Sequence, residues 1–188
     1  MLRRLFRPGP VKASSERLYA SAVTQARSPA FYRDLGVKDR IDARFELYTI
    51  HVALLTNRLY GQGEQASETA TALYSVYLSA LDHTLRELGV GDLSVAKKVR
   101  PLAEALYGRT KAYGEALGGE APDREALRGL IGRTVFSDQT GEGEGLSADL
   151  EPLVDYVIRA HQALAGQDMA ALLKGDVSWP APVAEVEA

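Results

Sequence analysis

Apolar side chains recur at three- and four-residue steps along almost the whole chain. No stretch alternates with the two-residue period of a strand. Leu18, Ala22 and Ala26 share one face of a helix expected over 14–27. Ser28-Pro29 reads as the N-cap and first residue of a short turn carrying Phe31 and Tyr32, which Gly36-Val37 breaks. Asp39 is expected to cap a long helix, with Asp42 in its first turn, that runs to about Tyr60 and stops at Gly61-Gln62-Gly63. Leu73, Tyr77, Leu81, Leu85 and Leu88 form the core stripe of a helix over 67–88.

Gly89 suits the left-handed position after that helix, and Asp92 or Ser94 can cap the next, expected over 93–117. Its stripe is Val95, Val99, Leu102, Leu106, Tyr113 and Leu117. Gly118-Gly119 ends it, and Pro122-Asp123 opens a shorter helix to about Phe136. After a loop over 137–145, Ser147 is expected to cap a helix over 148–165, and a last turn covers 168–174. The pattern predicts an all-α, single-domain bundle of six or seven helices over 14–174. A basic flexible tail (1–13) and a Pro- and acid-containing flexible tail (175–188) flank it.

A chain of 188 residues is long enough for one domain with a real core. It has no cysteine, which excludes disulfides, thiolate metal sites and a cysteine nucleophile. The formal charge of −3 is unevenly spread: residues 1–44 carry +6 and the remainder −9. The basic quarter suits something anionic, such as lipid headgroups, RNA or an acidic partner, or it lies against the acidic remainder of its own fold. No apolar run reaches the ~20 residues of a membrane span, and the start Met1-Leu-Arg-Arg-Leu-Phe-Arg7 lacks the apolar run of a secretory signal.

Candidate chemistry is sparse. Gly141-Glu-Gly-Glu-Gly145 looks like a phosphate loop, but no strand precedes it and its two carboxylates repel phosphate. His83 and Glu87 stand four apart on one helix face beside Asp82, without a second ligand pair at that spacing, and Asp82–Arg86 reads equally as a surface ion pair. His51 lies in an apolar helix, as a hydrogen-bonded core histidine does. No nucleophile elbow, Walker lysine or carboxylate pair is present, so no enzyme, cofactor or metal is expected. Nine of the fourteen aromatic residues are tyrosines. Arg17, Arg27 and Arg33 interleave with Tyr19, Phe31 and Tyr32, either as an amphipathic packing seam or as a partner surface.

Several blocks resemble the ubiquinol–cytochrome c chaperone family. They are Leu18-Tyr19 through Gln25-Ala26-Arg27, Pro29, Phe31-Tyr32, Gly36-Val37, Asp39, and Arg44-Phe45-Glu46 with Ile50-His51. Leu85-Arg-Glu-Leu-Gly-Val-Gly-Asp-Leu-Ser-Val95 with Lys97-Lys98 follows, then Tyr107-Gly108-Arg109 and Tyr113. The resemblance covers roughly 18–136 and implies an all-α, non-enzymatic assembly factor for the cytochrome bc1 complex (complex III) whose client is newly made cytochrome b. It implies client or partner contacts at Arg27, Phe31, Tyr32, Arg44, Phe45, His51, Asp82, Arg86, Asp92, Tyr107, Gly108, Arg109 and Tyr113, with a structural corner at Gly89, Val90 and Gly91. A ribosome contact, a small assembly partner and peripheral membrane association are further implications; DNA is not. The chain looks more like a bacterial member, placed in the cytoplasm or peripherally on the inner face of the cytoplasmic membrane (the matrix side in a mitochondrion).

The family carries two aspartates flanking one residue before Leu85, where this chain has Ala80-Leu81-Asp82. The Gly89 corner is explained by helix termination alone. Gly108, costly inside a helix by about 1 kcal/mol against alanine, is expected to let another helix approach closely. Two rival readings share the same residues: a ribosome- or RNA-associated factor using the basic quarter, and a peripheral lipid- or quinone-binding helical protein.

Overall fold

The structure is a computed structural model that describes residues 9–87, 89, 91–137 and 149–183. The described residues hold six long helices and two short ones, with no strand among them. They are α1 (Pro10–Ala26), α2 (Pro29–Arg33), α3 (Ile41–Leu59), α4 (Glu64–Glu87), α5 (Asp92–Leu117), α6 (Arg124–Thr134), α7 (Glu151–Ala165) and α8 (Met169–Leu172).

Helix α3 is the axis of the bundle, touching α1, α4, α5 and α7. Val52, Ala53, Leu54 and Leu55 are all buried in succession, which a helix shows only when neighbours cover it on every side. The apolar stripes read from the sequence face it: Leu18, Ala22 and Ala26 from α1, Leu73 and Tyr77 from α4, Leu106 and Tyr113 from α5, and Leu153, Val154 and Val157 from α7.

Element ends depart from expectation where tertiary partners compete. Helix α1 begins at Pro10, not Ser14, because Pro10 occupies the first helical turn, where its missing N–H is no loss. Asp39 does not cap α3; Arg40 holds that position, and Asp39 instead accepts from Arg44 at 2.5 and 2.8 Å. Gly91, not Asp92, is the N-cap of α5. Asp123 does cap α6, accepting from the Ala126 N–H at 2.9 Å. Helix α7 starts at Glu151 rather than 148, and the expected cap Ser147 lies outside the described residues, as do Gly141 to Gly145. Gly89 has φ +81°, the left-handed conformation expected of it; Val90 lies outside the described residues.

The segment expected as a flexible C-terminal tail differs most. Up to Val183 it packs on the bundle: the Trp179 indole donates to Ser21 Oγ at 3.0 Å and meets the His51 ring edge-on, with centroids 4.9 Å apart. Gln25 donates to the Pro180 carbonyl (3.0 Å), Gln167 both donates to and accepts from Ser178 (2.8 Å each), and Arg159 donates to the Ala181 and Pro182 carbonyls. Side chains of α1, α7 and the turn after α7 thus satisfy a strap that forms no ladder of its own. Gly175, at φ +85°, turns the chain into it, and an added Cβ there would collide with the Arg17 side chain.

Candidate functional site

Two surface features adjoin the core. The first is a groove of about 770 Å³ between α3, α4 and α5. Its α4 and α5 walls carry small side chains, Ala70, Thr71, Ser75 and Ala103, while Tyr60, Tyr74 and Tyr107 stand around them. Tyr60 and Tyr107 are 69% and 67% exposed, high for side chains of their size. Tyr74 is held in place by donating to the Ala103 carbonyl at 2.5 Å, and Asn57 donates to the Thr110 carbonyl at 3.0 Å. The only charged lining groups, Glu104 and Lys111, pair along their own helix with Arg100 (3.1 Å) and Glu115 (3.7 Å). Small floor residues permit close approach of a backbone, and tyrosine presents apolar area with a wettable hydroxyl.

The second feature is an arginine–aromatic face built from the end of α1, α2 and the start of α3. Ile41, Arg44, Phe45 and Tyr48 recur at three- and four-residue steps on α3, so they share one side. Arg27 donates to the Tyr48 hydroxyl at 3.0 Å and lies over its ring. Tyr32 donates to the Ala26 carbonyl at 3.3 Å. Beneath the face, Phe45 stacks on Tyr77 at 6.1 Å, Tyr77 meets Tyr19 at 5.8 Å, and the Arg109 guanidinium covers Phe45 at 5.8 Å. Arg109 then donates to Glu46 Oε1 at 2.5 Å, an ion pair only 22% and 8% exposed at its two side chains. Burial raises the Glu46 carboxyl above its ordinary range, against the opposing pull of Arg109.

The structure gathers Arg27, Tyr32, Arg44, Phe45 and Arg109 from the sequence-expected set around this face, and Tyr107 at the groove. It corrects others. Phe31, His51 and Tyr113 are buried to 1% exposure or less, so they pack the core and offer no partner surface. His51 Nδ1 bonds with the Leu47 carbonyl at 2.7 Å and Nε2 with the Tyr156 hydroxyl at 2.6 Å, while desolvation lowers its pKa to about 4. Gly108 faces open space, so no helix among the described residues packs on it. Asp82 and Arg86 pair with each other at 2.7 Å on exposed α4, and Asp92 begins α5. His83 contacts Glu87 at 3.3 Å on the same helix; no group of three potential metal ligands occurs among the described residues.

Tyr48, Tyr60, Tyr74 and Glu46 escaped the sequence reading as site residues. The signal available was tyrosine placed off the core stripe, at Tyr60 and Tyr74.

The family model for the ubiquinol–cytochrome C chaperone matches residues 33–179. The chain belongs to the ubiquinol–cytochrome c chaperone family. The match spans α3 to α8 and runs to Trp179, so it includes the groove, the α3 part of the arginine–aromatic face and the first half of the strap, while Arg27 and Tyr32 precede it. The crystal structure of the Cbp3 homolog from Brucella abortus is similar to this chain at 30% identity and a TM-score of 0.78, covering 97% of this chain and 98% of that one. No curated protein matches the chain. No helix among the described residues is long and apolar enough to cross a membrane.

Proposed function

We propose that this chain is a non-enzymatic assembly chaperone of the cytochrome bc1 complex, that its client is newly made cytochrome b, and that the groove between α3, α4 and α5 seats an apolar helical segment of that client. The family match over 33–179 carries the reading. The groove's chemistry supports it: a floor of small side chains, exposed tyrosines at the rim, and charges already neutralised within α5. A helix laid in such a groove gains contact through close backbone approach and buries apolar surface that an unassembled membrane protein exposes. Release follows from the client's own folding and packing, which withdraws the same apolar surface.

Photo-crosslinking from Tyr107 or Tyr60 in membranes of the native host tests this, with Glu125 on exposed α6 as the control position. Cytochrome b adducts from the two groove positions, retained in high salt, are the expected result. Ribosomal or RNA adducts without cytochrome b overturn the client assignment. Equal cytochrome b yields from Glu125 overturn the groove assignment.

A further inference from the structure

The arginine–aromatic face lies outside the groove proposed for the client helix, and its composition points elsewhere. Ile41, 76% exposed, heads α3 at its tip. Arg33, Lys38, Arg40 and Arg44 flank it in sequence, and Arg27 reaches the same side of α3 through Tyr48; all five are exposed. The Tyr48 hydroxyl bond raises the Arg27 pKa, with Arg44 close enough to oppose it slightly. Three carboxylates accompany them: Asp34 near Arg33 (3.8 Å), Asp39 on Arg44 (2.5 Å), and Asp42 near Arg40 (3.8 Å). The span 27–44 therefore keeps a net +2 in a chain whose formal total is −3. Between the cations sit Tyr32, Tyr48 and Phe45, partly buried against the core.

We propose that this face docks the protein on an anionic lipid surface, with Ile41 entering the interface, the tyrosines at headgroup depth and the arginines on lipid phosphates. The inference stands apart from the client's identity. Isoleucine and tyrosine gain from the boundary between headgroups and acyl chains, and basic side chains gain from the negative surface potential. An RNA surface fits less well. A phosphate track offers nothing to a protruding isoleucine, and the interspersed Asp39 and Asp42 interrupt the row of cations. With only +2 in excess, neither charge nor Ile41 suffices alone, so docking is reversible and sensitive to both.

Because the chain has no cysteine, one thiol reports on one place. Ile41→Cys carrying an environment-sensitive fluorophore, in the full chain, is mixed with phosphatidylcholine vesicles with or without phosphatidylglycerol. A blue shift on phosphatidylglycerol vesicles, reversed by salt and absent from the same probe at Glu125→Cys, is the expected result. In vesicle flotation of the unlabelled protein, Arg27→Gln/Arg44→Gln weakens binding about 25-fold, each basic side chain near the surface contributing about five-fold. Lys97→Gln, exposed on α5, leaves it unchanged. No shift at position 41 overturns the proposal. So does equal binding to neutral vesicles, an equal loss from Lys97→Gln, or an RNA oligonucleotide binding this face where vesicles do not.

Discussion

Replacing Arg109 by methionine tests how the arginine–aromatic face is held to the bundle. The substitution keeps an apolar stem but removes the guanidinium, which lies over Phe45 and pairs with Glu46 at 2.5 Å. Removing one partner of a buried ion pair costs about 3–5 kcal/mol, because the remaining charge is desolvated and alone. Glu46 is 8% exposed at its side chain, but Arg109 is 22% exposed and partly screened, which places the loss near the lower end, about 3 kcal/mol. In a chain of this size that lowers Tm by roughly 6–12 °C. Burial already holds the Glu46 carboxyl above its unfolded range, with Arg109 opposing. Without Arg109 it rises further. The fold then favours the protonated form, so stability drawn from it is present at low pH and lost as pH rises through that raised value. The deficit of Arg109→Met relative to the parent therefore narrows between pH 7 and about pH 5. Urea denaturation followed by circular dichroism at both pH values gives the numbers. Adding Glu46→Gln recovers about 2 kcal/mol, since a neutral amide is left in place of an unpaired charge. If the single variant lies within about 0.5 kcal/mol of the parent, or the double variant is no better than the single, the pair is not a desolvated one.

Other outcomes follow from the same geometry. His51 is buried and neutral with its pKa lowered from 6.5 to about 4, so the stability it confers is present above pH 6.5 and lost as pH falls toward 4; by linkage that is about 3 kcal/mol, and His51→Gln flattens this part of the stability profile. Tyr156→Phe removes the hydroxyl shared by His51 and Gln25 and lowers stability by about 1–3 kcal/mol, measured by chemical denaturation. Gly89→Val, at φ +81°, lowers Tm through backbone strain of about 1–2 kcal/mol, whatever happens to client binding. A Cβ added at Gly108 meets no atom within 4 Å, and leucine replaces a poor helix former, so Tm of Gly108→Leu holds or rises; reduced cytochrome b crosslinking from Tyr107 in that variant places Gly108 beside the client.

The apolar periodicity made the long helices and most core residues legible, because Leu18, Leu73, Leu106 and Leu153 obey a local rule that tertiary structure only has to satisfy. The boundaries were less so. Asp39 is a good N-cap by type, but a bidentate arginine five residues on competes for the same carboxylate, and the cap is lost to it. The strap was invisible for a related reason. The run from Ser178 to Pro182 carries no periodic signal, and its bonds are made by Gln25, Arg159 and Gln167, between 11 and 155 residues away, which read as ordinary polar positions. The groove was legible only in fragments. It is defined by what three helices leave uncovered, and Ala70, Thr71, Ser75 and Ala103 look like neutral helix formers until a neighbour fails to cover them.

The strap also sets an order of events during synthesis. The hydroxyl of Ser14 near the start of α1 bonds the Leu173 carbonyl, and Arg17 bonds that of Lys174 at 2.8 Å, with Trp179 and Pro180 tied to Ser21 and Gln25. These partners are about 155–159 residues apart. Contacts that distant carry the entropy of closing nearly the whole chain, and they form late. A nascent chain that has completed α1 to α7 still has the His51–Tyr156 pair open on the side Trp179 will cover. The first helix therefore waits for residues 173–180 before its own polar side chains at Ser14, Arg17, Ser21 and Gln25 find these partners.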